Sequence, residues 1–274
     1  MASFLVNGWP ARSIDAADRG LMYGDGVFRT LVLREGQPLN WRHHFRLLSR
    51  DCERLSLACP PEKAILHDLA RADSGPVAVA KVVVTRGASG RGYAWAEGAE
   101  PTRIVAAWAG LPDAAGAAEH GVRVRRCELR LAIQPRLAGV KSLNRLENVL
   151  ARAEWADAEI REGLLADADG RLVEGTMSNV FLVSGGRLAT PSLERCGVEG
   201  AQRARVLELA EAAGIACEAR DIGFDDLLAA DEAFLTNSVI GLWPVAAFGE
   251  RRWAPGPVTR RLQRLVADDD ARGT

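Results

Sequence analysis

The 274-residue sequence contains no apolar run that approaches the roughly 18–20 residues needed to span a membrane. It also lacks a C-x-x-C pair: its five cysteines are odd in number and scattered, so no zinc or thioredoxin-like motif and no metal site is expected. The beginning of the chain has neither a basic segment nor a long apolar segment, and no secretory signal is visible. We therefore expect a cytoplasmic protein with reduced cysteines.

No excess of either charge is present, because 35 lysine and arginine residues nearly balance 36 aspartate and glutamate residues. Such a chain has no strong basic field to attract nucleic acid or anionic lipid. We therefore expect a small molecule or a second copy of the chain as the partner, and neither nucleic acid nor a membrane. Lysine itself is scarce, with three in the chain: Lys63, Lys81 and Lys141. A mechanism that needs an amine nucleophile must use one of these or the N-terminus.

What the sequence does contain is enough chain for about two domains, with ordinary contents of apolar (48%) and charged (26%) residues. Strand and helix patterns mix without strict βαβ alternation, which predicts an α+β protein of two lobes. An Ala/Gly-rich stretch is typical of a connection between domains. We expect a small N-terminal α+β domain over residues 1–110, a connection over 111–120 and a larger C-terminal domain over 121–274.

Local patterns predict individual elements of these lobes. Asn7-Gly8 predicts a two-residue hairpin turn, and the β-branched run over residues 77–84 predicts a buried strand. A helix over residues 199–213 is expected to end at a glycine. Another long amphipathic helix is predicted from just after Lys141 up to Gly163, on the basis of one apolar stripe: Leu143, Leu146, Leu150, Ala153 and Ala156.

Several segments are candidates for chemistry, although each has an ordinary structural explanation. Lys141 precedes the predicted helix, whose positive end would lower the pKa of an ammonium group and favour an imine, yet most loop lysines are simply solvated. Glu174 precedes small polar residues, where a carboxylate could face a cofactor. Residues 197–200 open a helix whose N–H groups could hold a phosphate. The glycine-rich segments 24–26 and 86–92 match neither common nucleotide-binding motif.

In chain order, these segments form a recognisable set of motifs. The first is Arg136-Leu-Ala-Gly-Val-Lys-Ser-Leu-Asn-Arg-Leu-Glu147, and the second is Glu174-Gly-Thr-Met-Ser-Asn-Val-Phe181. The third combines Thr190-Pro191 with Gly197-Val-x-Gly-x-x-Arg203. Together they resemble the fold-type IV pyridoxal-phosphate enzymes, which include branched-chain and D-amino-acid aminotransferases and 4-amino-4-deoxychorismate lyases. The resemblance spans nearly the whole chain. Within the family, residues 85–93, 141–147 and 236–245 look like the lyase branch.

The resemblance implies a two-lobed, D-amino-acid aminotransferase-like architecture whose C-terminal domain binds pyridoxal 5′-phosphate. It implies that Lys141 holds the cofactor as an imine and acts as general acid and base, and that Glu174 keeps the pyridine nitrogen protonated. Members of the family are typically homodimers, so a homodimer is expected. Further cofactor contacts are implied for six residues: Ser178, Asn179, Val198, Glu199, Asn237 and Ser238.

One helix departs from the family pattern. The family places an arginine for the cofactor phosphate in the pattern His-x-x-Arg-Leu, which His43, Arg46 and Leu47 reproduce. A gapless match counted back from Cys52, however, places Leu47 at the arginine position, and a one-residue insertion would rotate a helix by about 100°. We predict that Arg46 binds the phosphate, with Arg50 as its substitute.

The lyase resemblance implies conversion of 4-amino-4-deoxychorismate to 4-aminobenzoate and pyruvate, a step of folate biosynthesis that consumes no amino acceptor. The alternative is a branched-chain or D-amino-acid aminotransferase on the same scaffold, which would consume an oxo acid. A more remote alternative is a non-catalytic binding protein that keeps the fold. The substrate carries two carboxylates, and four residues are candidates for binding it: Tyr23, Lys81, Arg86 and Arg91.

Overall fold

The computed structural model describes residues 2–72, 75–95, 98–112 and 116–272, which form two compact units. Unit 1 comprises Met1–Pro112 together with Val140–Asn144, and unit 2 comprises Asp113–Gly139 and Arg145–Gly273. The expected connection over 111–120 includes residues 113–115, which lie outside the described residues. The sequence did not indicate that the short segment around Lys141 belongs with the N-terminal lobe.

Unit 1 is an antiparallel six-stranded sheet covered by helices, with strand order β2-β1-β6-β5-β3-β4. The predicted turn at Asn7 and Gly8 is confirmed, with φ angles of 49° and 87°. The elements of unit 1, in chain order, are β1 (Ser3–Val6), β2 (Trp9–Pro10), α1 (Arg19–Tyr23), β3 (Gly26–Arg34), β4 (Gln37–Pro38), α2 (Trp41–Arg54), α3 (Glu62–Arg71), β5 (Val77–Thr85) and β6 (Thr102–Ala109).

The register between β3 and β5 decides which side chains face the helices. Thr30 pairs with Lys81 and Arg29 pairs with Val82. Because directly opposed residues of an antiparallel pair point to the same face, and alternate residues to opposite faces, Lys81 and Arg29 lie on opposite faces of the sheet. Val82 belongs to the buried core under α2 and α3, and the Arg29 side chain therefore enters that core.

The segment Val140–Asn144 is held to the beginning of β3 by main-chain hydrogen bonds. The Phe28 N–H donates to the Lys141 carbonyl oxygen at 3.0 Å, and the Leu143 N–H donates to the Gly26 carbonyl oxygen at 2.9 Å. Between these two bonds Val27 and Ser142 form an isolated antiparallel bridge. The segment thus extends the sheet of unit 1 by a short stretch of paired chain.

Unit 2 is built around a mixed sheet with strand order β12-β11-β10-β13-β14-β7-β8-β9, in which β15 pairs with β14. Three of the neighbouring strand pairs are parallel and the others are antiparallel. The elements of unit 2, in chain order, are α4 (Ala117–His120), β7 (Val122–Leu131), α5 (Leu146–Arg152), β8 (Ile160–Asp167), β9 (Leu172–Gly175), β10 (Asn179–Ser184), β11 (Arg187–Pro191), α6 (Ala201–Ala212), β12 (Cys217–Arg220), α7 (Phe224–Ala229), β13 (Glu232–Asn237), β14 (Gly241–Phe248), β15 (Arg251–Arg252) and α8 (Pro257–Ala271).

The long helix predicted up to Gly163 is wrong. The helix is the short α5, and β8 already begins at Ile160. Trp155 closes the turn between them: its side chain is buried, and its indole N–H donates to the Ile160 carbonyl oxygen at 3.0 Å. The apolar stripe that suggested the helix does not face the core of the chain, since Leu146 is 75% exposed.

Packing on the sheet of unit 2 is apolar on both sides of the central strands. On one side α6 and α8 cover Phe181 and Phe234, whose rings stack at a centroid distance of 5.0 Å. The predicted helix over 199–213 is confirmed as α6, which is followed by a left-handed Gly214. An antiparallel sheet in unit 1 and a mixed sheet in unit 2, each packed with helices, confirm the predicted α+β class. Within the described residues, no helix is long and apolar enough to cross a membrane.

Candidate active site

Lys141 is half-buried in unit 1, on the segment that pairs with β3. Its N–H donates to Asp51 Oδ2 at 3.0 Å, and its carbonyl oxygen accepts the Phe28 N–H. The predicted helix end beside this lysine is wrong, because α5 begins only at Leu146. The surroundings of the Lys141 side chain are instead aromatic, with Nζ 4.6 Å from the centroid of the Phe28 ring.

Lys81 is brought to the same aromatic ring. Its Nζ lies 4.4 Å from the Phe28 centroid, and β3 and β5 place both residues on one face of the sheet. Burial lowers the pKa of the Lys81 ammonium from its usual value, because the charged form loses hydration. Lys81 and Lys141, two of the three lysines of the chain, therefore both lie close to the Phe28 ring.

A buried ion pair lies beneath Lys141, and the sequence gave no indication of it. Asp51 in α2 is fully buried and pairs with Arg29, which is 2% exposed. Arg50 Nη2 binds the other carboxylate oxygen, Asp51 Oδ1, at 2.9 Å. The charged cluster of Arg29, Arg50 and Asp51 thus contacts the main chain of Lys141. Arg50 and Asp51 are neighbours in α2, but Arg29 and Lys141 lie 22 and 90 positions from Asp51, so local spacing carries no signal for the cluster.

The structure places the predicted phosphate-binding arginines differently. Arg46 lies on the exposed face of α2, while its neighbour Leu47 is fully buried in the core. Arg50 is half-buried and bound to Asp51, whose other oxygen accepts the Lys141 N–H. The orientation of α2 therefore does not favour Arg46, and it brings Arg50 into the cluster next to Lys141.

Arg86, which the sequence predicts to bind substrate, is extensively hydrogen-bonded within unit 1, and its contact with substrate stays a prediction. Its guanidinium donates to both carboxylate oxygens of Asp25 and to the carbonyl oxygens of Leu55 and Ser56. Burial raises the pKa of Asp25, but hydrogen bonds from Arg86 and Arg19 outweigh this effect and lower it overall. These contacts engage the guanidinium of Arg86 and tie two loops together.

Tyr23 and Arg91 belong to the same surface region of unit 1. The Tyr23 hydroxyl oxygen accepts the Gly92 N–H at 3.2 Å, and its ring lies 5.6 Å from that of Tyr93. Arg91 is exposed on this loop. The end of α1 and this loop therefore present two aromatic rings and the exposed Arg91 guanidinium, while Lys81 lies in β5.

Glu174 is a buried carboxylate in β9 of unit 2, 3% exposed. Its Oε2 accepts the Val198 N–H at 2.8 Å. The loop that supplies this N–H needs glycine at position 197, where φ is +83° and an added Cβ would lie 2.6 Å from Val173 Cγ1. The loop over residues 197–200 is thus packed tightly against Glu174.

Asn179 forms hydrogen bonds to the same loop, whereas Ser178 forms one to the carboxylate of Glu162. The Asn179 side-chain amide donates to the Val198 carbonyl oxygen at 2.8 Å and accepts the Gly200 N–H at 3.1 Å. The Ser178 hydroxyl donates to Glu162 Oε2 at 2.7 Å. Glu162 is itself buried and orders the turn that follows Glu174.

The groups predicted to hold the phosphate in unit 2 are already hydrogen-bonded, with one exception. The Val198 N–H donates to Glu174, and the Glu199 N–H donates to the Gly139 carbonyl oxygen at 3.0 Å. Asn237 binds main-chain groups of its own turn and of Met177. Among the described residues, none hydrogen-bonds the half-buried Ser238 hydroxyl.

Nowhere in the described residues of either unit do three or more side chains suited to a metal ion form a cluster.

Arg145 is a further charged residue of this site that reasoning from the sequence missed. It lies half-buried directly before α5, and burial lowers the pKa of its guanidinium, while the charges of Glu174 and Glu147 oppose the shift. The sequence shows Arg145 in the motif that follows Lys141, but nothing in the spacing of that motif indicates that Arg145 interacts with Glu174. The Arg145 guanidinium and the Glu174 carboxylate thus attract each other electrostatically.

Comparison with known proteins places these features in a family. The family described as amino-transferase class IV matches residues 26–248. Aminodeoxychorismate lyase of Vibrio harveyi is 33% identical over 265 residues, covering 95% of this chain and 98% of the relative. A crystal structure of 4-amino-4-deoxychorismate lyase from Pseudomonas aeruginosa is similar with a TM-score of 0.91 and 44% identity, covering 97% of this chain and 98% of that one.

Aminotransferases are similar as well. A putative branched-chain-amino-acid aminotransferase of Methanocaldococcus jannaschii is 30% identical over 263 residues, covering 93% of this chain and 90% of the relative. The family match spans most of the chain and includes Lys141 and Glu174. The chain belongs to the class IV aminotransferase family, the fold-type IV enzymes that depend on pyridoxal phosphate.

Proposed function

We propose that this chain is a pyridoxal-phosphate-dependent lyase that converts 4-amino-4-deoxychorismate to 4-aminobenzoate and pyruvate. The observation that carries this proposal is its similarity, over nearly its whole length, to the Pseudomonas aeruginosa lyase. The Vibrio harveyi lyase supports it independently of the structural comparison. A small-molecule substrate also agrees with the balanced charge of the chain, which gives no strong field to attract nucleic acid.

The residues present fit the cofactor. Its aldehyde needs a primary amine, which Lys141 provides from a half-buried position beside an aromatic ring. Its ring nitrogen needs a carboxylate, which Glu174 provides from a buried position. Its phosphate needs donors of hydrogen bonds, and the Ser238 hydroxyl and the Arg50 guanidinium are our candidates. At Gly200 an added Cβ would lie 2.3 Å from Asn179 Oδ1, so the loop over residues 197–200 depends on its small residues.

When bound, pyridoxal phosphate supplies an electron sink for the charge left on carbon after a proton is removed. Lys141 Nζ would hold the cofactor covalently, and as a free amine it would take the proton from the substrate carbon that bears the amino group. Glu174 would keep a proton on the ring nitrogen. Lys81 contributes a cation for a substrate carboxylate, and its lowered pKa reflects the partly dry face on which it lies.

An aminotransferase is the second candidate function, and the similarity to the Methanocaldococcus jannaschii protein favours it. Such an enzyme would keep Lys141 and Glu174 but would transfer the amino group to an oxo acid. Consumption of 2-oxoglutarate during turnover therefore separates the two functions. A non-catalytic binding protein, the remote alternative, would show neither reaction.

A homodimer is also part of the proposal. Three apolar side chains of α5, Leu146, Val149 and Leu150, are 60–75% exposed and lie within one helical turn of each other. An exposed apolar stripe of this kind is typical of a surface that another chain covers. We propose that a second copy of this chain covers it.

The test of the proposed function uses cofactor-loaded protein, 4-amino-4-deoxychorismate and no oxo acid, with 4-aminobenzoate followed by its fluorescence. We expect product from the wild type and none from Lys141→Ala. Borohydride reduction and peptide mass spectrometry should locate the cofactor on Lys141 in the wild type. A protein that holds the cofactor but forms no product until 2-oxoglutarate and an amino acid are supplied would favour the aminotransferase.

A further inference from the structure

Asp51 is a buried carboxylate that the proposed reaction does not use. It lies on the face of α2 that packs against β3, and its side chain has no exposed surface. Oδ2 accepts the Lys141 N–H at 3.0 Å, across 90 positions of the chain. A fully buried charge is costly unless it is paired and hydrogen-bonded, so its position against one particular N–H calls for an explanation.

Two arginines compensate the charge of Asp51. Arg29 enters the core from β3 and binds Oδ2, and Arg50 binds Oδ1 from the adjacent position of α2. With one partner on each oxygen, the carboxylate has little freedom to rotate. Oδ2 is therefore held at a fixed point against the segment that carries Lys141.

The hydrogen bond from the Lys141 N–H to Asp51 is the second of two bonds that hold the main chain of Lys141. Its carbonyl oxygen is bound by the Phe28 N–H of β3, and its N–H is bound by Asp51. Because both main-chain polar groups of Lys141 are held by different elements, its backbone cannot rotate without breaking one of the two bonds. The backbone sets the direction in which the side chain extends toward the Phe28 ring.

We propose that Asp51, held by Arg29 and Arg50, is a positioning residue for Lys141. It fixes the main chain from which the reactive amine extends, and it does not itself touch substrate or cofactor. This inference rests on the proposed role of Lys141. Misplacement of a reacting group by about 1 Å can lower a rate on the order of 10²-fold, which sets the size of the expected effect.

The decisive variant is Arg29→Leu/Asp51→Leu, because it removes both buried charges of the pair, and Arg50, which loses Asp51, is only half-buried and accessible to water. Its matched control is Asp68→Leu/Arg103→Leu. Asp68 is also fully buried in unit 1 and is bound by Arg103 Nε at 2.7 Å, and this pair joins α3 and β6 rather than the segment of Lys141. Both double variants remove one buried pair from the same unit.

Three measurements on the holoenzyme test the proposal. Hydrogen exchange of the peptide that contains residues 140–144 should accelerate in Arg29→Leu/Asp51→Leu and stay unchanged in the control. Its kcat should fall on the order of 10²-fold with a smaller change in KM. The visible circular dichroism of the bound cofactor, which reports its orientation, should also change in this variant alone. Wild-type exchange at residues 140–144 together with wild-type kcat would overturn the proposal.

A second pair of variants covers the case in which the double variant does not fold. Asp51→Asn keeps an oxygen that can accept the Lys141 N–H, whereas Asp51→Leu does not. We expect Asp51→Asn to retain slower exchange at residues 140–144 and a higher kcat than Asp51→Leu. Equal impairment of the two variants contradicts the proposal. Full lyase activity in Lys141→Ala would instead contradict the proposed function, and the exchange data, which need no turnover, would still decide the role of Asp51.

Discussion

Lys81 and Lys141 share one aromatic ring: their Nζ atoms lie 4.4 Å and 4.6 Å from the centroid of Phe28. Cations are attracted to the face of an aromatic ring, but two cations near one ring also repel each other. Burial disfavours the charged form of Lys81 in addition. A negatively charged group placed beside this pair would relieve both costs, which is why we assign Lys81 to a substrate carboxylate.

We expect Lys81→Met to raise KM for 4-amino-4-deoxychorismate by about tenfold to a hundredfold, because a charged hydrogen bond contributes about 1.5–3 kcal/mol. Steady-state kinetics with purified variants measure this directly. Lys63→Met is the matched control, since Lys63 is an exposed lysine of α3 in the same unit. An unchanged KM in Lys81→Met would remove Lys81 from the substrate site.

The same variant has a pH-dependent effect on stability. The folded state lowers the pKa of Lys81, so the unfolded chain holds this proton more tightly and the charged lysine destabilises the fold at neutral pH. That penalty falls as pH rises from the lowered pKa toward the ordinary value of 10.5. Urea unfolding should therefore show Lys81→Met more stable than wild type at pH 7.5, with a smaller difference near pH 10.5. A difference that grows with pH would contradict this sign.

Glu174 has a structural partner as well as a proposed chemical one, and two substitutions separate the roles. Glu174→Ala leaves the Val198 N–H without its acceptor and should lower the free energy of unfolding by about 1–3 kcal/mol. Glu174→Gln keeps an oxygen for that N–H, so it should retain most of the stability. Both variants should lose lyase turnover, because neither can hold a proton on the ring nitrogen. High turnover in Glu174→Gln would exclude the proposed role of the carboxylate.

The sequence predicted the first hairpin turn and the β5 strand of unit 1 because their signals are local. Asn7 and Gly8 adopt positive φ angles in a two-residue turn, and residues 77–84 lie within β5 as expected. The ion pair between Arg29 and Asp51 could not be predicted this way. It depends on the packing of α2 against β3, and an arginine inside a strand ordinarily indicates an exposed face.

The error after Lys141 has a different physical cause. Helical periodicity identifies an apolar face but not what covers it, and the side chain of Leu146 is exposed rather than buried in its own chain. The roles of Lys141 and Glu174 came from family motifs. Their local contacts, with Asp51 in one unit and Val198 in the other, required the fold because 90 and 24 positions separate the partners.

The two candidate phosphate arginines make opposite predictions for cofactor affinity. Arg46 is exposed, so Arg46→Ala should leave the Kd for pyridoxal phosphate unchanged. Arg50→Ala should raise that Kd by at least about tenfold if its guanidinium binds the phosphate. Equilibrium titration of cofactor-free protein measures both. Pyridoxal, which lacks the phosphate, is the control ligand: Arg50→Ala should raise its Kd less than that of pyridoxal phosphate, since loss of the support for Asp51 affects both ligands and loss of a phosphate contact affects only one. A raised Kd for pyridoxal phosphate in Arg46→Ala and an unchanged Kd in Arg50→Ala would assign the phosphate to Arg46 instead.

The exposed stripe on α5 predicts how the chain should behave at low concentration. A leucine buried at an interface contributes about 1.5–3 kcal/mol, so Leu146→Glu/Leu150→Glu should shift a homodimer to monomer. Light scattering coupled to size exclusion, over a dilution series, measures the mass. Leu228→Glu is the control, because Leu228 is also an exposed leucine of unit 2 but lies on α7. Since the changed side chains face solvent in the single chain, the monomeric variant should still fold and unfold cooperatively on heating. A dimer of unchanged stability in this variant would show that a different surface joins the two copies.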